Sequence, residues 1–174
     1  MKIYIGDITQ VDADVVVNAA DTDFTPGGGL ARWIAKQGGP EIFKEAVKYA
    51  PGEVGKVYVT QAGKLKAKHV FHIPTVNWES SEKLQLASVH MVVTIAISEA
   101  IKQGCKSIAF PLLGAGTVGL DEKEVAAETI DAILHMEAET PDFEGSLCIL
   151  TQGSFEKLKS IMPSGVTVVD LIKK

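Results

Sequence analysis

The feature that most narrows the fold of this chain is an alternation. Short runs rich in Val and Ile are separated by longer stretches whose apolar residues recur at helical spacing, which is the pattern of an α/β protein. The runs Lys2–Ile5, Val15–Asn18, Lys56–Gln61, His69–Ile73, Ser107–Phe110, Ser146–Leu150 and Val166–Asp170 read as strands. Val15-Val16-Val17 and Ile108-Ala109-Phe110 are apolar on consecutive residues. A strand open to water on one face would alternate, so these are expected to be covered on both faces, with helices on either side of the sheet. The helical stretches are Gly29–Gln37, Pro40–Tyr49, Glu82–Gln103, Asp121–Met136 and Phe155–Ile161. In the third, Leu84, Ala87, Met91, Ile95 and Ser98 keep helical spacing and Gly104 is the expected stop. Asp121 followed by Glu124 has the form of a capping box for the fourth, and Ser154 is the expected cap of the fifth.

The length, 174 residues, fits one ordinary domain spanning 1–174. Hydrophobic residues at 46% and charged residues at 22% exclude a disordered tail and a disulfide scaffold. A net charge of −5 argues against non-specific nucleic-acid binding, which draws on surplus Lys and Arg. An anionic ligand would have to be held by local groups. Cys105 and Cys148 lack metal-ligand spacing and read as reduced thiols in a cytoplasmic protein. No apolar run is long enough for a membrane span, and a monomer is expected.

Two glycine clusters carry the chemistry. Pro26-Gly27-Gly28-Gly29 precedes the first helix, and Gly114-Ala115-Gly116-Thr117-Val118-Gly119 lies between a strand and the fourth. Glycine lets backbone N–H groups approach an anion, and a helix N-terminus adds roughly half a positive charge. Two such loops could grip two phosphates in an acidic protein. Glycines also simply make turns, and either cluster alone allows that reading. The second cluster satisfies G-x-G-x-x-G, so a Rossmann-type dinucleotide-dependent oxidoreductase is the remote alternative. Against it, the cap signal at Asp121 falls after the last glycine, the motif sits late in the chain, and the acidic residues about twenty positions on, Glu137 and Glu139, fall at a helix end.

Polar residues also mark two strand ends: Gly6-Asp7-Ile8-Thr9 and Val17-Asn18-Ala19-Ala20-Asp21. Asp7 can accept from an amino group or cap a turn, and Asn18 can donate and accept at sugar hydroxyls. Gly-Asp-Ile-Thr at 6–9, Val-Asn-Ala-Ala at 17–20, Gly-Gly-Gly at 27–29 and Phe-Pro-Leu-Leu-Gly-Ala-Gly-Thr-Val-Gly at 110–119 together resemble the macrodomain, an ADP-ribose-binding module, in the family's order over nearly the whole chain. The resemblance implies a three-layer α/β/α sandwich with a mixed, mostly parallel central sheet. It makes Asp7 the acceptor for the adenine amino group, with Ile8 beside it. Gly28, Gly29 and Leu30 line the first phosphate loop, and Gly114, Ala115, Gly116, Thr117 and Val118 form the second. Asn18 and Asp21 lie on the distal ribose side as the candidate catalytic pair.

The departures are equally specific. Family members commonly carry Asn where this chain has Asp21, so an amide donor is exchanged for a charge near a diphosphate. The subgroup that removes ADP-ribose from proteins most efficiently has an Asp where this chain has Ala31. Aromatics common in the second loop and beside adenine are replaced by Val118 and Leu150, at a cost of about 1 kcal/mol each. Two function classes stay open: an enzyme hydrolysing an ADP-ribosyl ester or O-acetyl-ADP-ribose, and a non-catalytic reader of ADP-ribosylated protein. Ala31 favours the reader, whereas the lack of a fused domain favours the enzyme. Neither class needs a cofactor or metal. His69 and His72, three apart on a strand, are expected to face opposite ways. His90 and His135 are expected on helices without a Cys or carboxylate partner at ligand spacing, and so facing solvent, Lys64, Lys66 and Lys68 in a solvated turn, and Trp33 and Trp78 in packing roles, with Trp78 at a position that could edge a cleft.

Overall fold

In the computed structural model, residues 1–173 are described; Lys174, the last residue of the expected domain, lies outside them. A seven-stranded sheet runs in the order β3-β4-β2-β5-β6-β1-β7. Its strands are β1 (Lys2–Ile5), β2 (Val15–Asp21), β3 (Tyr58–Gln61), β4 (His69–Val76), β5 (Ser107–Phe110), β6 (Glu144–Ile149) and β7 (Thr167–Asp170). Neighbours are parallel except β3, which is antiparallel to β4. The helices are α1 (Gly29–Gly38), α2 (Glu41–Ala46), α3 (Val89–Lys102), α4 (Glu122–Glu139) and α5 (Gln152–Leu158). The architecture is the mixed α/β/α sandwich.

Successive strand side chains point to opposite faces, and the consecutive apolar runs therefore supply both cores. Val16, Val70 and Ala109 pack with Ile34 of α1 and Ile42 and Phe43 of α2. Val15, Val17, Phe71, Ile108 and Phe110 meet Val93, Ala96 and Ile97 of α3 and Ile133 of α4. At the β1–β6 end, Ile3, Ile5, Leu147 and Ile149 meet Ile130 of α4 and Phe155 and Leu158 of α5.

Expectations about three helices are corrected. The third helix does not begin at Glu82: Lys83 forms a bridge with Val76, Leu86–Ser88 is a 3₁₀ turn, and α3 starts at Val89. Its buried face is Val89, Val92, Val93, Ala96, Ile97 and Ala100, whereas Met91 and Ile95 of the expected stripe are exposed. A helix with apolar residues on both sides gives two stripes of equal period, and only packing chooses between them. The fifth helix is capped by Thr151, whose hydroxyl accepts from Ser154 N at 3.1 Å, not by Ser154 itself. The second helical stretch ends early, passing into a 3₁₀ turn at Val47–Tyr49.

At the margin of the sheet, β3 meets side chains. Tyr49 donates its hydroxyl to Val59 O at 3.1 Å, and Glu45 accepts from Gln61 N at 3.0 Å.

Candidate functional site

Because β1, β2, β4, β5 and β6 run parallel, their C-terminal ends share one edge of the sheet. β2 and β5 are neighbours there. The chain leaving β2 enters α1 on one face, and the chain leaving β5 enters α4 on the other. Where adjacent strands send their connections to opposite faces a crevice opens, the usual ligand position in such sheets. By topology the two glycine clusters are its two walls, one after each strand.

The first wall begins at Asp21. Its carboxylate accepts from Thr25 N at 3.0 Å and from Thr25 Oγ1 at 2.8 Å. Phe24, in the left-handed region at φ 54° and fully buried, anchors the turn with its ring 4.9 Å from that of Tyr58. The exposed Gly27 and Gly28 follow, and Gly28 is the N-cap of α1 with no side-chain cap. Arg32 N bonds to Gly28 O at 3.3 Å. The N–H groups of Gly28, Gly29, Leu30 and Ala31 find no hydrogen-bond partner among the described residues. No acidic residue occupies the first turn. This end of α1 is therefore an open site for an anion.

The second wall is braced internally: Ala115 N donates to Leu112 O at 3.2 Å, Gly119 N to Gly116 O at 3.1 Å and Leu120 N to Gly114 O at 3.0 Å. Between these bonds the N–H groups of Gly116, Thr117 and Val118 have no partner among the described residues. The following helix end is closed, contrary to the expectation that both loops present one. Asp121 accepts from Lys123 N at 2.9 Å and Glu124 N at 3.0 Å, and Glu122 and Glu124 sit in the first turn. Any anion on this wall must be held by the loop amides alone.

On β2, Asn18 is fully buried, with its amide nitrogen 3.1 Å from His72 Nδ1. His72 Nε2 lies 3.0 Å from Thr60 Oγ1. With the amide donating to Nδ1, the ring proton sits on Nε2, which donates to Thr60 Oγ1, and the Thr60 hydroxyl in turn donates to Gln61 O at 3.1 Å. Burial lowers the His72 pKa to about 4, so the ring is neutral near pH 7. Asn18 Oδ1 is buried without a partner among the described residues. Asn18 is thus a buried side chain of β2, three residues before the end of the strand.

At the other end, Asp7 Oδ1 accepts from Thr9 N at 2.9 Å and Thr9 Oγ1 at 2.7 Å, so the turn-capping role is present. Asp7 Oδ2 accepts from Trp33 Nε1 at 2.6 Å. Ile8 is buried. Leu150, directly after β6, is 72% exposed. Beside them Cys148 Sγ donates to Gly6 O at 3.4 Å, and burial pushes its thiol up to about 12, so it carries no nucleophile.

The expected packing roles of Trp33 and Trp78 are not observed; both are exposed. His135 differs from expectation in having a carboxylate at close spacing, its Nε2 3.6 Å from Glu139 Oε1, while His90 Nε2 is 3.2 Å from Asp131 Oδ2; both rings are partly open to solvent, as expected. The His135–Glu139 spacing of four was visible in the sequence, while the His90–Asp131 pair crosses two helices. Lys64 and Lys66 are exposed, and Lys68 pairs with Asp14 at 3.0 Å. Among the described residues no group of three or more His, Cys, Asp or Glu could hold a metal, and no helix is long and apolar enough to cross a membrane.

An α/β/α sandwich with a glycine-walled crevice at the strand ends defines the class. The chain belongs to the Macro domain family, whose model matches residues 17–129. An uncharacterized protein of Saccharolobus solfataricus is 34% identical over 172 residues, covering 94% of both chains. One from Aquifex aeolicus is 42% identical over 130 residues, 75% of this chain and 78% of its own. Among solved structures, a mutant of the Oceanobacillus iheyensis macrodomain with ADPR superposes with a TM-score of 0.81 at 22% identity, covering 91% of this chain and 89% of that one. The Trypanosoma brucei macrodomain in complex with ADP-ribose gives 0.79 at 21%, covering 91% and 67%. These two establish the shared fold.

Proposed function

We propose that this protein is a single-domain binder of ADP-ribose or a close derivative, such as a mono-ADP-ribosyl group on a protein or O-acetyl-ADP-ribose. The observation that carries this is the pair of unpartnered main-chain amide runs, Gly28–Ala31 and Gly116–Val118, on loops that leave adjacent strands toward opposite faces. A diphosphate needs donors on two sides, and the acidic chain supplies them from its backbone. Solved relatives of this fold in complexes with ADP-ribose support the same reading. On it, Gly28, Gly29 and Leu30 hold one phosphate, and Gly114, Ala115, Gly116, Thr117 and Val118 the other. Asp7, Ile8 and Leu150 border the adenine, and Asp21 borders the distal ribose. Asn18 acts by positioning the end of β2. No metal or cofactor is called for, and the ligand partner is ADP-ribose or an ADP-ribosylated protein and not nucleic acid. A cytoplasmic location fits two free, buried cysteines, and the protein is read as a monomer.

Hydrolysis is the second reading, and Asp21 is the observation that favours it: position 31 offers only a buried methyl group, so Asp21 is the carboxylate at the ribose end. Asp21 would then orient the sugar or accept the proton of an attacking water, with the ligand's own phosphate polarising it. Calorimetry checks the binding reading. ADP-ribose should bind far more tightly than AMP, and equal affinities would sink the two-wall arrangement. Turnover of mono-ADP-ribosylated protein separates reader from hydrolase; if Asp21 is the base, Asp21→Asn lowers turnover by about 10²-fold or more.

A further inference from the structure

Trp33 lies on α1, four residues past the glycine run, and is held from two directions. Its indole N–H donates to Asp7 Oδ2 at 2.6 Å, joining α1 to the end of β1. Lys36 Nζ lies 4.6 Å over its ring, so the cation keeps one face of the indole in place. An ionised carboxylate has about four lone-pair positions. On Asp7, Thr9 N and Thr9 Oγ1 take those of Oδ1, and Trp33 takes one of Oδ2. One acceptor position remains, on a side chain that cannot turn without breaking these bonds.

We propose that Trp33 is a positioning residue for base selection: by locking Asp7 it leaves a single acceptor, matched to the one exocyclic amino group of a 6-aminopurine. A 6-oxopurine presents a carbonyl oxygen at that place, and two acceptors then face each other without a proton between them. Selection depends on the indole, because without it both positions of Oδ2 lie open to water, and the carboxylate, still held by Thr9, meets either base with solvent between. This rests on the proposed reading that the base end of the ligand lies at Asp7.

The test is calorimetry of the whole protein with ADP-ribose and with its hypoxanthine analogue, for wild type and Trp33→Phe. Phenylalanine keeps an aromatic ring and removes the donor. Wild type should prefer ADP-ribose by about tenfold or more, the scale of a hydrogen bond to a charged group. In Trp33→Phe the preference should fall to within about threefold, through weaker ADP-ribose binding with the hypoxanthine analogue nearly unchanged. Equal weakening of both ligands, or an undiminished preference, overturns the proposal. Failure of wild type to bind ADP-ribose at all would instead overturn the binding function. Should Trp33→Phe not fold, the indole Nε1 proton observed by NMR in Trp78→Phe replaces it: the resonance should shift with ADP-ribose and far less with the hypoxanthine analogue, and equal shifts overturn the proposal.

Discussion

The two glycine walls look interchangeable in composition and differ in construction. The first is open: Gly28 is extended at φ −167°, a Cβ built on it would meet nothing within 4 Å, and α1 behind it has no cap. The second is closed on itself: Gly114 sits at φ +81°, a Cβ there would lie 2.9 Å from Leu120 Cδ1, and α4 behind it is capped by Asp121. Glycine at 28 keeps space for something to arrive, and glycine at 114 lets the loop hold its own shape. A G-x-G-x-x-G string therefore says little until the next helix end is known to be free.

That contrast can be broken most sharply at Gly28. Gly28→Glu should weaken ADP-ribose binding by more than about 100-fold, since the added carboxylate meets a phosphate. The melting temperature should hold, because the extended backbone accepts any residue; normal binding by the mutant would remove the first wall from the site. Acid should act through His72, paired with Asn18 of the strand that leads into the first wall, whereas residues 111–120 hold no titratable side chain. The folded protein resists protonating His72, whose pKa is lowered to about 4, while the unfolded chain protonates it near the ordinary value of 6.5. Stability is then full above pH 6.5 and declines as pH falls toward 4, by up to about 3 kcal/mol. Thermal melts from pH 7 to 4.5 should show this slope in wild type and a shallower one in His72→Gln.

Gly114→Ala forces a side chain into the left-handed region beside Leu120, at about 1–2 kcal/mol. Melting should fall by about 3–8 °C, against a change within about 1 °C for Gly28→Ala; equal changes would erase the distinction. Asp121→Ala removes the cap of α4 and should lower stability by about 1 kcal/mol in urea melts, without weakening ADP-ribose binding. Smallest, Asp21→Asn should tighten ADP-ribose binding by about 3–10-fold, as repulsion of the diphosphate goes and an amide donor arrives. No change in affinity would put Asp21 outside the crevice.

Every strand was legible in the sequence to within a few residues; for the central strands β2 and β5 this is because Val and Ile runs covered on both faces leave few alternatives. The start of α3 was not, since the bridge of Lys83 to Val76 takes for β4 a residue that helical periodicity claims for the helix. Asp121 was legible as a cap. Its consequence, that a capped helix end is closed to phosphate, follows only once both N–H groups are seen to be taken. Trp33 was the larger omission at the site. It stands where an amphipathic helix would place any surface residue, and no local spacing links it to Asp7, 26 positions away.

The side chains over β3 have a consequence for other copies of the chain. An outermost strand normally offers a row of free main-chain groups on which a stranger can dock and aggregation can begin. Here a neighbour arriving at Val59 and Gln61 finds a phenol and a carboxylate already seated there. The growth of this sheet into a larger one is stopped on that side by Tyr49 and Glu45.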